Sequence, residues 1–248
     1  MPIEAIVPRR LYRQVADQLK SLIDTGEFAV GDRLPSEREL ADQLGISRPT
    51  VREALIALEV EGKVSIRVGS GIYVTPPRPV RAKLPAEPIE GPFELLRARE
   101  FIEGAIAAEA ALHAGPTEIE RLDDVLARMK AKVHPTELTL NLDREFHTTV
   151  AGFLGNAVLV RFIGELFDQR VNPYFERLSS YFEDHESWRL AMAEHRAIRD
   201  AIAARDPEAS KAAMQAHLQR SQIRFSRSFG ERSPVRQAKE EAHSGQGR

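Results

Sequence analysis

Between Ser36 and Thr75 the chain reads as two capped helices and a glycine-tipped hairpin in quick succession, an order that few folds accept. Ser36 stands three residues before Glu39. Its hydroxyl can cap the free amides while the Glu39 carboxylate reaches back, a reciprocal arrangement that opens a helix. That helix is short, because Gly45 ends it. Ile46 packs and Ser47 caps a further helix, whose first turn tolerates Pro49 because those amides lack intrahelical partners. Val51, Leu55 and Leu58 share one face, and Gly62 stops the helix. Two β-rich runs follow, Val64–Val68 and Ile72–Thr75, joined by Gly69, Ser70 and Gly71. Upstream, Leu11, Val15, Leu19, Leu22 and Ile23 repeat at helical spacing before Gly26. Three helices and then a hairpin predict a winged helix-turn-helix over 8–76.

Six prolines lie from Thr75 to Pro92, a composition suited to a semi-rigid linker over 77–91. Beyond it, 92–229 reads as helical almost throughout. The pattern predicts helices over Pro92–Ala114, from a Thr117/Glu120 capping box to His134 and Pro135, and over Thr136–Phe153. It then predicts one helix from Ala157 to Phe182 kinked at Pro173, one over Glu186–Arg205, and one capped by Asp206 with Pro207 first. The fold class is mainly α: the winged domain followed by an all-α antiparallel helical bundle. Residues 230–248 are polar and poor in large apolar side chains, and read as a disordered tail.

With no cysteine, the chain has no disulfides, thiolate metal sites or cysteine nucleophile. No apolar run approaches the roughly 18 residues that span a bilayer, and the first residues lack the apolar core of a secretory signal. A cytoplasmic protein without membrane partners is expected. Charge gives no hint of nucleic acid: the net value is −2, and residues 1–76 hold 10 Lys and Arg against 11 Asp and Glu. A DNA-binding surface would have to come from how charges are distributed between faces.

In a winged helix-turn-helix the start of the second capped helix enters the major groove. Here that turn carries Ser47, Arg48, Thr50 and Arg52. An arginine fork can hold guanine O6 and N7 together, or clamp a phosphate. Arg38 on the preceding helix can reach the backbone or a base edge, and the bare tip at Gly69 lets amides approach a phosphate; Lys63 and Arg67 flank it. The plainer alternatives are arginines that solvate a helix face, or a winged domain that binds protein. Leu34–Ala41 (LPSERELA), Leu44–Leu55 (LGISRPTVREAL), Leu58–Gly62 and Val68–Val74 (VGSGIYV) resemble the GntR family of bacterial regulators. That resemblance covers almost all of 9–75. It implies that Arg38, Arg48, Thr50, Arg52 and Gly69 contact operator DNA, and that a homodimer binds a short palindrome.

Asp143 and His147 are four apart, which stacks a carboxylate and an imidazole on one helix face. His195 and His217 each lie eleven residues from Asp206. If the last two helices form an antiparallel hairpin, these two face each other roughly 16 Å from the turn. One Asp and three His would suit Zn, Ni, Mn or Fe; alternatively, they are core histidines that satisfy each other or the backbone. His113, His134, His185 and His243 lack this geometry and read as surface residues. The stretches Arg99–Glu103, Asp143–His147, Gly155-Asn156, Glu194-His195, Ala201–Asp206 and Met214–His217 resemble the FCD effector domain found in the FadR-type branch of GntR regulators. The resemblance implies Asp143, His147, His195 and His217 as ligands of a divalent metal that holds a small carboxylic acid. It further implies Arg99 as an effector-facing guanidinium. Apart from the resemblance, Arg170 in the middle of the fourth helix is a weaker candidate, the plainer alternative being a surface residue, and Trp188 either walls the pocket against a sugar face or packs in the ordinary way. The segment Arg67–Val74 is similar to regulators of hexuronate and other sugar-acid use.

The expected function is a DNA-binding repressor controlled by a sugar acid such as an aldonate or uronate, with lactate-type and amino-acid effectors left open. The alternative from another class is a helical metal-dependent enzyme acting on sugar acids with an accessory winged domain. Against it, no further Glu, Asp or His presents itself beside the four ligands as a base.

Overall fold

A computed structural model describes residues 10–77, 90–131 and 137–226, with backbone alone for 137 and 138. Its contacts divide into two units, one reaching to Pro88 and taking in Ser226 as well, and one spanning Ile89–Phe225. The tail expected at 230–248, most of the linker, His134 and His243 lie outside the described residues.

The first unit contains α1 (Leu11–Asp24), α2 (Glu37–Leu44), α3 (Arg48–Val60), β1 (Val64–Arg67) and β2 (Gly71–Val74). Both expected caps form. Ser36 Oγ accepts from the Glu39 amide at 3.3 Å while Glu39 Oε2 accepts from the Ser36 amide at 2.7 Å. The α2 helix ends at Gly45, whose φ of +66° is costly for any residue with a Cβ. The strands pair antiparallel, Val64 opposite Val74 and Arg67 opposite Gly71. Their alternation buries Val64, Ile66, Ile72 and Val74 together with Leu19, Leu55 and Leu58 of the helices.

The second unit consists of α4 (Pro92–His113), α5 (Pro116–Lys130), α6 (Glu137–Gly152), α7 (Ala157–Asp168), α8 (Pro173–Phe182), α9 (His185–Ala203) and α10 (Pro207–Ser226). Phe146, Ile163, Ile198 and Ile202 fill its core. Three helix boundaries differ from the sequence expectation. The α5 helix ends at Lys130, with Ala131 as its C-cap, short of the stop expected at His134 and Pro135. Gly115, not Thr117, precedes the first turn of α5, because Pro116 takes the first helical position and Glu118 accepts from the Gly115 amide at 3.1 Å. The helix expected to kink at Pro173 is two helices. Asn172 Oδ1 accepts from the amides of Tyr174 and Phe175 at 2.9 and 2.8 Å, so Pro173 begins a new helix where a kink would have left carbonyls unpaired. Asp206 does cap α10, accepting from the Ala209 amide at 2.9 Å.

Candidate DNA-binding helix and buried metal centre

The start of α3 is fixed by Ser47, whose Oγ accepts from the Thr50 amide at 3.4 Å and lies 2.8 Å from the Thr50 hydroxyl. Ser47 and Arg38 are exposed, Arg48 and Thr50 partly so, and Gly69 stands at the wing tip with φ +77°. Arg52 departs from the expectation set for it. It is 0 % exposed and forks around Glu37, with Nε to Oε2 at 2.9 Å and Nη2 to Oε1 at 2.6 Å. As folded, it offers nothing to a groove and ties α3 to α2. The reason is positional: Arg52 lies one turn inside the helix, flanked by the buried Val51 and Ala54. Lys63, expected beside the wing, bonds Asp24 at 2.7 Å. Arg33 was not singled out by the sequence, yet its side chain crosses Gly71, where an added Cβ would meet Arg33 Nε at 2.5 Å. Glycine there, at φ +136°, was the only available signal.

In the helical unit the four expected ligands come together. One donor atom from each of Asp143, His147, His195 and His217 lies within 4.8 Å of the other three, and all four residues are buried. His195 Nε2 is 3.1 Å from Asp143 Oδ1 and 3.4 Å from His147 Nε2. The His195 and His217 rings face each other with centroids 4.5 Å apart. Metal–ligand bonds of about 2.1 Å separate neighbouring donors by about 3.0 Å in an octahedron and about 3.4 Å in a tetrahedron; the His195 pairs match this, while His147 Nε2 and Asp143 Oδ1, 3.7 Å apart, would draw in by a few tenths of an ångström around a first-row divalent ion.

Two carboxylates that the sequence did not assign hold the imidazoles from behind. His147 Nδ1 donates to Glu103 of α4, and His217 Nδ1 donates to Glu194 of α9 at 2.8 Å. Each bond fixes the tautomer and aims Nε2 at the cluster. Both carboxylates are themselves held by arginine, Glu103 by Arg99 at 2.6 Å and Glu194 by Arg224 at 3.0 Å. Acids do therefore stand beside the ligands, contrary to the sequence reading, but bonded to orient rather than to move protons. Glu194 sits next to His195 in sequence and serves His217, which no local pattern could reveal.

Burial works against charge throughout. It lowers the pKa of His195, and with the neighbouring His195 ring it takes His217 down to about 3, so both stay neutral as ligands must. For His147 burial is outweighed by Glu103 and Asp143, and its pKa is raised. Burial likewise opposes the charge on Asp143, yet its hydrogen bonds to His147 and His195 hold it well below the usual carboxylate range. Burial is also overcome at Glu103, which Arg99 and His147 keep at about 2.

A cavity adjoins the cluster, with Asp143, His217, Arg99, Arg170, Trp188 and Arg224 among its walls. Arg99 lies over Phe167, its guanidinium carbon 3.7 Å from the ring centre. Arg170 donates to Asp143 Oδ2 at 2.7 Å; the break before Pro173 places it on a turn rather than inside a helix. Buried Arg99 Nη2, Arg170 Nε and His195 Nδ1 have no hydrogen-bond partner among the described residues. His113 and His185 are exposed, as expected.

Comparison with known proteins bears on both units. Residues 11–74 match the family described as bacterial regulatory proteins, gntR family, and residues 94–220 match the FCD domain. The Exu regulon transcriptional regulator of Escherichia coli (strain K12) is 37% identical over 228 residues, covering 89% of this chain and 86% of that one. The Uxu operon regulator of Haemophilus influenzae is 34% identical over 221 residues, covering 88% and 83%. Among solved structures, Streptococcus agalactiae GntR aligns with a TM-score of 0.43 at 26% identity, covering 86% of this chain and 98% of that one. No described helix is long and apolar enough to cross a membrane.

Proposed function

The chain belongs to the gntR family of bacterial regulatory proteins, carries an FCD domain and is a DNA-binding transcriptional regulator rather than an enzyme; from that premise we propose that a small sugar acid, bound at a divalent metal in the helical unit, controls its hold on an operator. The observation that carries the proposal is the buried Asp143, His147, His195 and His217 cluster, with Nδ1 of two rings already occupied, beside a cavity whose arginines keep unpaired donors. An octahedral divalent ion held by these four residues would keep two coordination positions for a carboxylate and an adjacent hydroxyl of the ligand, which a tetrahedral ion would not. Arg99 Nη2 and Arg170 would supply charge-assisted bonds to the same acid, and Trp188 a face for its carbon skeleton. Hexuronates and aldonates are the class favoured, since the relatives named above regulate the Exu regulon and the Uxu operon.

On the DNA side, Arg38, Ser47, Arg48, Thr50 and Gly69 form the contact set, and Arg52 keeps α3 seated on α2. A homodimer would place two such helices in successive major grooves of a palindrome. Repression is relieved if the acid prefers a state of the dimer that fits the operator poorly; 1–3 kcal/mol of preference alters occupancy about 5–150-fold.

The test is a thermal-shift screen of hexuronates, aldonates and lactate on purified protein, with and without chelator, followed by operator binding. One sugar acid should raise the melting temperature only when metal is present, and should release DNA at the same concentrations. No shift with any acid, or a shift indifferent to chelator, removes the sensor.

A further inference from the structure

The carboxylate of Glu37 is shared by two arginines of α3 that differ in exposure. Arg52 is 0 % exposed and takes both Glu37 oxygens; Arg48, 41 % exposed at the side chain, reaches only Oε1, through Nε at 3.1 Å. One carboxylate neutralises one guanidinium, and the buried one has the stronger claim. The group of three therefore keeps one net positive charge, and it resides on the partly exposed arginine at the first position of the helix.

The way Arg48 is held matters as much as its charge. A guanidinium has a side-on pair of donors (Nε with one Nη) and an end-on pair (Nη1 with Nη2). Glu37 occupies Nε, and among the described residues the two Nη groups of Arg48 have no partner. That leaves the end-on fork, whose spacing matches guanine O6 and N7. A free arginine loses rotamer entropy when it docks; one tethered at Nε has lost part of it beforehand.

We infer that Glu37 is a positioning residue for sequence recognition: it tethers Arg48 by Nε so that the end-on fork of that side chain is preset for a base edge. Arg52 acts in this device as the clamp that keeps Glu37 in place. The inference goes beyond DNA binding as such, which rests on phosphate contacts elsewhere as well.

The experiment compares binding of the full chain to a duplex selected by the wild-type protein from a random pool, and to the unselected pool, at matched salt. Glu37→Gln should lower the selected-to-unselected affinity ratio about tenfold while the dependence of affinity on salt stays the same, since no phosphate contact is lost. On an Arg48→Ala background the same substitution should change the ratio less than twofold, because the residue through which it acts is gone. An equal loss in both backgrounds, or none in the first, overturns the inference. Should Glu37→Gln fold poorly, Glu37→Met with Arg52→Met removes the buried pair without stranding a charge. A selected-to-unselected ratio equal to wild type in that double variant likewise overturns it. Steep salt dependence of wild-type binding checks DNA binding itself, so failure of that premise would be seen separately.

Discussion

Both units bury an arginine against a glutamate, and the two pairs are finished differently. In the winged unit every buried nitrogen of Arg52 has a partner, and Glu37 has both oxygens engaged. In the helical unit Arg99 also holds Glu103, yet its Nη2 stays unpaired, as does Nε of Arg170, and both arginines line the cavity. Buried donors left open cost about 1–3 kcal/mol each. A satisfied pair calls for no ligand: it holds two helices together and keeps Glu37 in place beside Arg48. An unsatisfied set beside a cavity is what the proposed acid would satisfy.

That contrast can be broken in order of expected effect. Glu37→Ala strands the Arg52 charge in the core and should destabilise the winged unit by about 3–5 kcal/mol in chemical denaturation; a loss under about 1 kcal/mol would mean the pair is not structural. Asp143→Asn should weaken metal binding by more than about 100-fold in competition titrations while the helical content of the metal-free protein persists, since it removes the one anionic ligand. An unaltered affinity would discard the cluster as a site. Glu194→Gln, which leaves all four ligands in place, should weaken metal binding about 10–100-fold by loosening His217, and equal affinity would show that orientation is set by packing alone. Ser36→Ala, which removes only a cap, should cost about 1 kcal/mol of stability with metal affinity unchanged.

Much of this was legible because caps and stops are local. Ser36 with Glu39, Ser47 with Pro49, and Asp206 with Pro207 each announce a helix within four residues, and the hairpin carries its turn in Gly69 to Gly71. The ligand set was legible because i, i+4 spacing and symmetry about Asp206 are one-dimensional facts. What escaped was whatever depends on a partner distant in sequence. Arg52 reads the same whether it faces a groove or Glu37. Glu103 meets His147 from another helix, and Arg224 meets Glu194 across thirty residues. Asn172 misled for a different reason: Pro173 signals a break equally well as a kink or as a fresh start, and only the capping bonds of Asn172 decide.

The equal distances of His195 and His217 from Asp206 have an evolutionary consequence. A helix turns about 100° per residue. Losing or gaining a single residue within α9 after His195, or within α10 before His217, would swing one of the two rings out of the cluster while leaving the helices intact. Length change in either stretch should be nearly forbidden among descendants that still bind metal, whereas a change of an entire turn, 3–4 residues added to each helix, would preserve the facing pair. Outside the four ligands themselves, insertions and deletions, more than substitutions, are the changes this cluster is least able to tolerate.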